Sequence, residues 1–200
     1  MKNEIEKVRQ DIQKYFDENN RLEKERYELS EGGLYYFTSE RYKQNDPKRN
    51  WVICKIEIYN IETTEKILEY FTDADDNDYC ACWFKKNGDD YLILPEAFQG
   101  QSIVDIREKK LYSFYSSEEP FIWQLIYPSP GGNKIAVDGC YWGCPNELRV
   151  YDTNKITNLP YPMIYQEASF DVNCVFEHWE GNNMIVICKN KKDIMKIDIE

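Results

Sequence analysis

Four positions constrain this chain most: Asn60, Asp105, Asp152 and Asp198 recur about every 45 to 47 residues, each closing a short run of apolar and β-branched residues. A short polar residue at a strand end can fold its side chain onto the following turn. Between these positions, Gly88, Gly132 and Gly181 recur in the same relation to a strand that follows them. Three stretches make the repeat explicit. They are Phe84 to Leu94, Tyr127 to Val137 and Phe176 to Ile187, each a polar, glycine-containing turn followed by a strand. A period in this range is the mark of an array of supersecondary units, each too small to bury its own apolar face.

The clearest unit runs from Pro128 to Asp152. Ser129-Pro130-Gly131-Gly132-Asn133-Lys134 forms a turn, Ile135-Ala136-Val137 a strand, and Leu148 to Tyr151 a second strand ending at Asp152. Further strands are expected at Trp51–Tyr59, Tyr91–Leu94, Ser102–Ile106, Met184–Cys188 and Ile194–Ile197, with a polar loop over 43–50. The Ser129 to Asp152 stretch resembles the bladed β-propeller repeats of the WD40 and S-P-D-G kinds. It departs from them in having Gly131 where an Asp is preferred. The chain's single histidine, His178, also leaves no room for the Gly-His pair of WD40 blades. The resemblance implies a mainly β fold with a propeller-like array of about four antiparallel meanders. An open twisted sheet or a β-sandwich is the alternative.

Residues 4–29 read as one amphipathic helix. Ile5, Val8, Ile12, Tyr15, Leu22 and Leu29 fall on three- and four-residue steps, and Lys14–Glu18 and Asp17–Arg21 sit four apart with opposite charge. The expected division is a helical segment over 1–33 and a β-repeat domain over 34–200. The stripe packs on the chain's own sheet, or else makes residues 4–29 a coiled-coil arm for a homodimer.

The 36 acidic residues against 25 basic ones give a net charge of −11. Such a surface repels phosphate and anionic lipid and attracts a basic partner, so neither nucleic acid nor a membrane is expected to bind. No apolar segment approaches the ~20 residues of a spanning helix, and Met1–Gln10 has no apolar core of a signal peptide. A cytoplasmic location is expected, with the seven cysteines reduced.

Chemistry-bearing motifs are few. Cys80/Cys82 and Cys140/Cys144 invite a zinc reading, for which the single residue between the first pair is tight and the three between the second are allowed; burial as small apolar residues is the simpler use. The Asp73–Asp78 run begins like a calcium loop but has Asp78 and Phe84 where Gly and Glu are required. No catalytic set, metal or cofactor is therefore expected. Loops joining equivalent strands line up on one face of a repeat array. Two of them carry aromatics, Phe98 in one and Tyr141 and Trp142 in the other. These three, with the acidic Asp73, Asp75, Asp76 and Asp78, are the expected partner-binding residues. Packing against the next unit is the competing use of Phe98 and Trp142. The expected function is a non-catalytic protein-interaction module, in its most specific form an immunity-type protein that neutralises a basic toxin. The alternative is a small metal-dependent enzyme, or one using cysteines and His178.

Overall fold

The computed structural model describes residues 2–27, 33–46, 51–73, 81–97, 99–141, 146–167, 174–181, 184–189 and 193–199. After helix α1 (Ile5–Ile12) the chain builds four antiparallel meanders in succession. Sheet 1 is β1 (Arg21–Tyr27), β2 (Tyr35–Lys43), β3 (Val52–Asn60) and β4 (Lys66–Thr72). Sheet 2 is β5 (Cys82–Lys86), β6 (Asp89–Glu96), β7 (Gly100–Asp105) and β8 (Lys110–Phe114). Sheet 3 is β9 (Ile122–Pro128), β10 (Lys134–Cys140), β11 (Asn146–Asp152) and β12 (Met163–Glu167). Sheet 4 is β13 (Cys174–Glu180), β14 (Met184–Lys189) and β15 (Asp193–Asp198). Strand order within every sheet follows the chain. This is a mainly β, propeller-like array of four meander units preceded by one helix.

The repeat marks fall where the spacing puts them. Asn60, Asp105, Asp152 and Asp198 end the third strand of each sheet. The Asn60 side-chain oxygen accepts from the Glu62 and Thr63 amides at 2.9 Å, Asp105 from Glu108 at 2.9 Å and Asp152 from Asn154 at 2.7 Å. Each bond satisfies a turn amide just where the strand ends.

Sheets stack face to face through three apolar layers. Phe37, Ile56, Ile58 and Tyr70 of sheet 1 meet Leu92, Leu94 and Val104 of sheet 2. The other face of sheet 2 carries Tyr91, Ile93 and Ile103, which meet Trp123, Ile135, Val137 and Tyr151 of sheet 3. Ala136, Leu148 and Val150 on the far side of sheet 3 meet Phe176, Trp179 and Ile197 of sheet 4. Neighbouring residues on a strand point to opposite faces, so runs such as Leu92-Ile93-Leu94 feed two layers at once. Each fully buried Ile or Leu contributes roughly 1.5–3 kcal/mol.

The glycine turn of sheet 3 is also a joint. Gly132 has φ +65, and a Cβ there would lie 2.9 Å from the Lys85 carbonyl of β5. Thr153 Oγ1 donates to the Gly132 carbonyl at 2.8 Å, and buried Lys86 reaches from sheet 2 to donate to the Thr153 carbonyl. Lys134, at the other end of the same turn, donates to the Ile199 carbonyl at 2.7 Å. One turn thus links sheets 2, 3 and 4.

The N-terminal segment departs from the sequence expectation. The helix stops at Ile12, and Arg21–Tyr27 is an edge strand paired with β2. No continuous helical arm spans 4–29, and a division at residue 33 would cut sheet 1. Of the charges expected to pair along a helix, Arg21 crosses to the next strand and also meets Glu18 at 3.4 Å, and other charges of the segment pair across strands. Lys24 Nζ lies 2.7 Å from Glu57, Arg41 lies 2.5 Å from Glu23, and Arg21 contacts Glu40. Sheet pairing has overridden a sequence of good helix formers. The short α1 packs on the body: Ile12 is buried with Tyr42 and Ile53, and Arg9 Nη2 lies 2.8 Å from the fully buried Glu96 of sheet 2.

Gly139 marks a bulge between β9 and β10. A Cβ there would stand 2.3 Å from the Ile122 carbonyl and 2.6 Å from Phe121 Cζ. Gly139→Ala should lower the unfolding free energy by about 1–3 kcal/mol, as overpacking does. Urea unfolding checks this, and an unchanged midpoint would mean that β9 can move aside at no cost.

Candidate functional site

Two cavities draw functional side chains together. The larger, called the axial cleft, of about 660 Å³, lies where the first strands of sheets 2, 3 and 4 converge. Its walls come from β5 (Trp83, Phe84), β9 (Tyr127) and β13 (Phe176, Trp179). Tyr127 and Phe176 stack with centroids 4.3 Å apart, Phe176 and Trp179 are 5.9 Å apart, and the Trp179 indole donates to the Tyr127 carbonyl at 3.0 Å. Trp83 is backed by Tyr35 at 5.7 Å. The rings are therefore held by each other and by backbone, which leaves them rigid. Glu177 and His178 are exposed at the rim. Lys85 also lines the cleft, with its ammonium 3.7 Å from Asp90.

The smaller cavity, of about 330 Å³, lies between sheets 2 and 3. Its polar end is built around Arg149, whose side chain is 5% exposed. Arg149 Nε lies 3.0 Å from Glu147, Nη1 lies 3.1 Å from Glu119, and Nη2 meets the Tyr141 hydroxyl. The guanidinium also stacks 3.7 Å over the Phe121 ring. Burial works against its charge, but hydrogen bonding to Tyr151 and Glu119 outweighs it and raises the group above its ordinary value.

Of the expected contact residues, Phe98, Trp142, Asp75, Asp76 and Asp78 lie outside the described residues. Tyr141 is half-buried, packs edge-on to Phe121 at 5.6 Å, and commits its hydroxyl to Arg149. Asp73 accepts from Gln44 Nε2 at 2.8 Å. Phe98 and Trp142 aside, one described residue of each of the two loops expected to share a face lies near the smaller cavity. Gln99 of the β6–β7 turn lines it, and Tyr141 reaches it through Arg149. Sequence reasoning passes over the axial cleft, although its signal is plain. Phe84, Tyr127 and Phe176 are the aromatics that open the three repeated stretches, and all three face the cleft.

The described groups of the enzymatic alternative come from different sheets: Cys54 from β3, Cys82 from β5, Cys140 from β10 and His178 from β13. Cys54 is buried, and burial pushes the Cys82 thiol up to about 12. Cys80 and Cys144 lie outside the described residues. His178 Nε2 lies 3.9 Å from Glu180, which pairs with Lys196 at 2.9 Å. Among the described residues, no three His, Cys, Asp or Glu side chains are placed to hold a metal ion. No helix among them is long and apolar enough to cross a membrane.

No family model matches the chain. It is similar to an uncharacterized protein of Acanthamoeba polyphaga mimivirus, 27% identical over 200 residues that take in 93% of this chain and 78% of the relative. Among solved structures, the oligogalacturonate lyase of Vibrio parahaemolyticus matches 84% of this chain with a TM-score of 0.44 at 10% identity. The chain spans about half the length of that enzyme, 53%. A likeness of that degree says nothing of activity.

Arg149→Met should cost about 3–5 kcal/mol, because it strands the buried Glu147 carboxylate. Arg149→Met combined with Glu147→Met should recover most of that loss in thermal or urea unfolding. A double variant no better than the single one would mean that Arg149 matters through packing alone. In the folded protein Cys82 should resist alkylation at neutral pH and gain reactivity only as pH approaches about 12. Mass mapping of iodoacetamide adducts reads this directly, and rapid labelling at neutral pH would contradict it.

Proposed function

We propose that this chain is a non-catalytic protein-interaction module that holds a basic segment of another protein in the axial cleft. The observation that carries the reading is the set of rigid aromatic rings around a space of about 660 Å³. Aromatic faces attract ammonium and guanidinium groups and serve as contact anchors. Exposed Glu177 at the rim adds a carboxylate. The net charge of −11 draws a basic partner from a distance and disfavours acidic ones. A toxin neutralised by an immunity-type protein is the concrete partner this chemistry favours.

A partner captured on the immobilised chain should be basic, should be released as salt rises from low to high, and should bind at least fivefold more weakly to Glu177→Lys. An oligo-arginine peptide should quench tryptophan fluorescence with the same salt dependence, and an oligo-glutamate peptide should not. Binding that ignores both salt and Glu177→Lys, or no partner at any salt, overturns the reading.

A further inference from the structure

The smaller cavity carries an inference independent of the axial cleft. Its walls are largely apolar, formed by Phe114 of β8, Tyr151 of β11, and Tyr161 and Met163 around the β11–β12 connection. At about 330 Å³ it falls at the small end of ligand pockets, which run from about 300 to 1,000 Å³. Its polar end is unbalanced in charge. One guanidinium, Arg149, is shared by two carboxylates, Glu147 and Glu119. Glu147 is the buried partner, and its Oε2 also accepts from Gln166 Nε2 at 2.9 Å. Glu119 is 39% exposed and lines the cavity, and Arg149 contacts its Oε1 alone. Among the described residues its second oxygen has no partner. The arginine itself offers nothing to an anion, because Glu147, Glu119 and Tyr141 occupy its nitrogens.

We propose that this cavity binds a small organic cation. A flat apolar body lies against Tyr151 and Tyr161, and one ammonium or amidinium group pairs with the free oxygen of Glu119. The cation supplies the positive charge that the triad lacks, and tyrosine faces favour the same sign. A neutral ligand of the same shape gains the apolar contact alone. An anion meets a net negative end.

Benzylamine, benzyl alcohol and benzoate are the probes, titrated into the full chain by calorimetry or by chemical-shift perturbation. Benzylamine should bind saturably, benzyl alcohol at least tenfold more weakly, and benzoate not at all. Glu119→Gln, on a partly exposed side chain, should abolish the preference for the amine over the alcohol. Met163→Trp at the exposed rim should block both. Equal binding of amine and alcohol, preference for benzoate, no binding of any probe, or a preference that survives Glu119→Gln overturns the assignment. So does amine binding that Glu177→Lys removes and Glu119→Gln spares, since that binding belongs to the axial cleft. The protein-interaction reading does not depend on these titrations.

Discussion

Burial of sheets 2 and 3 on both faces is the constraint on which the rest depends. A sheet covered on one side alternates apolar and polar residues, and that alternation sets its register. Here Leu92-Ile93-Leu94, Ile103-Val104 and Ile135-Ala136-Val137 are apolar throughout, and successive residues enter different layers. Apolar content therefore cannot tell one register from the next. Register must come from elsewhere, and the structure shows where. Asp105 and Asp152 close their turns on specific amides, and Gly139 admits a bulge that no larger residue would fit. The Arg149–Glu147 pair also lies along β11 itself, two residues apart.

The sheets are keyed to one another by polar contacts within an apolar stack. Lys86 crosses from sheet 2 to the Thr153 carbonyl, Lys134 from sheet 3 to the Ile199 carbonyl, and Arg9 from α1 to Glu96. Burial pulls the Lys86 ammonium below its ordinary value, so this contact is held against a desolvation cost. Such a group is tolerated only where its partner is in place. Apolar layers supply most of the stability, but they would accept a sheet shifted by a few ångströms. The lysine and arginine contacts would not.

The legible part of the fold is the pair of strands in each unit that carries the repeat. In sheets 2 and 3 the second and third strands lie in the middle and are apolar, so β6, β7, β10 and β11 can be read directly from the residues, as can β14 in the middle of sheet 4 and β15 beside it. Outer strands are mixed in character. β12 exposes Met163 and Ile164, and β1 reads Arg-Leu-Glu-Lys-Glu-Arg-Tyr. As a string β1 is a good helix. It becomes a strand because β2 offers an open edge and Glu40 and Glu57 offer partners for its cations, and neither fact is local to residues 21–27. The site is partly legible for the same reason. Tyr141 stands out as a loop aromatic, but its bond to Arg149 depends on a residue in the next strand.

Repetition and singularity divide the two cavities between them. The axial cleft follows from the repeat. An aromatic stands at the start of three units, the units turn their first strands toward a common space, and Phe84, Tyr127 and Phe176 arrive there together. An array built this way makes an aromatic cleft without any motif confined to one segment, so no single stretch of sequence marks it. The smaller cavity has the opposite origin. Arg149, Glu147 and Glu119 form their cluster between sheets 2 and 3 alone, and their pairing is set by side-chain geometry. Periodicity alone points to a site of the first kind, because equivalent residues in successive units must reach the same place. A site of the second kind has no such signal, since only the folded chain sets one guanidinium between two carboxylates.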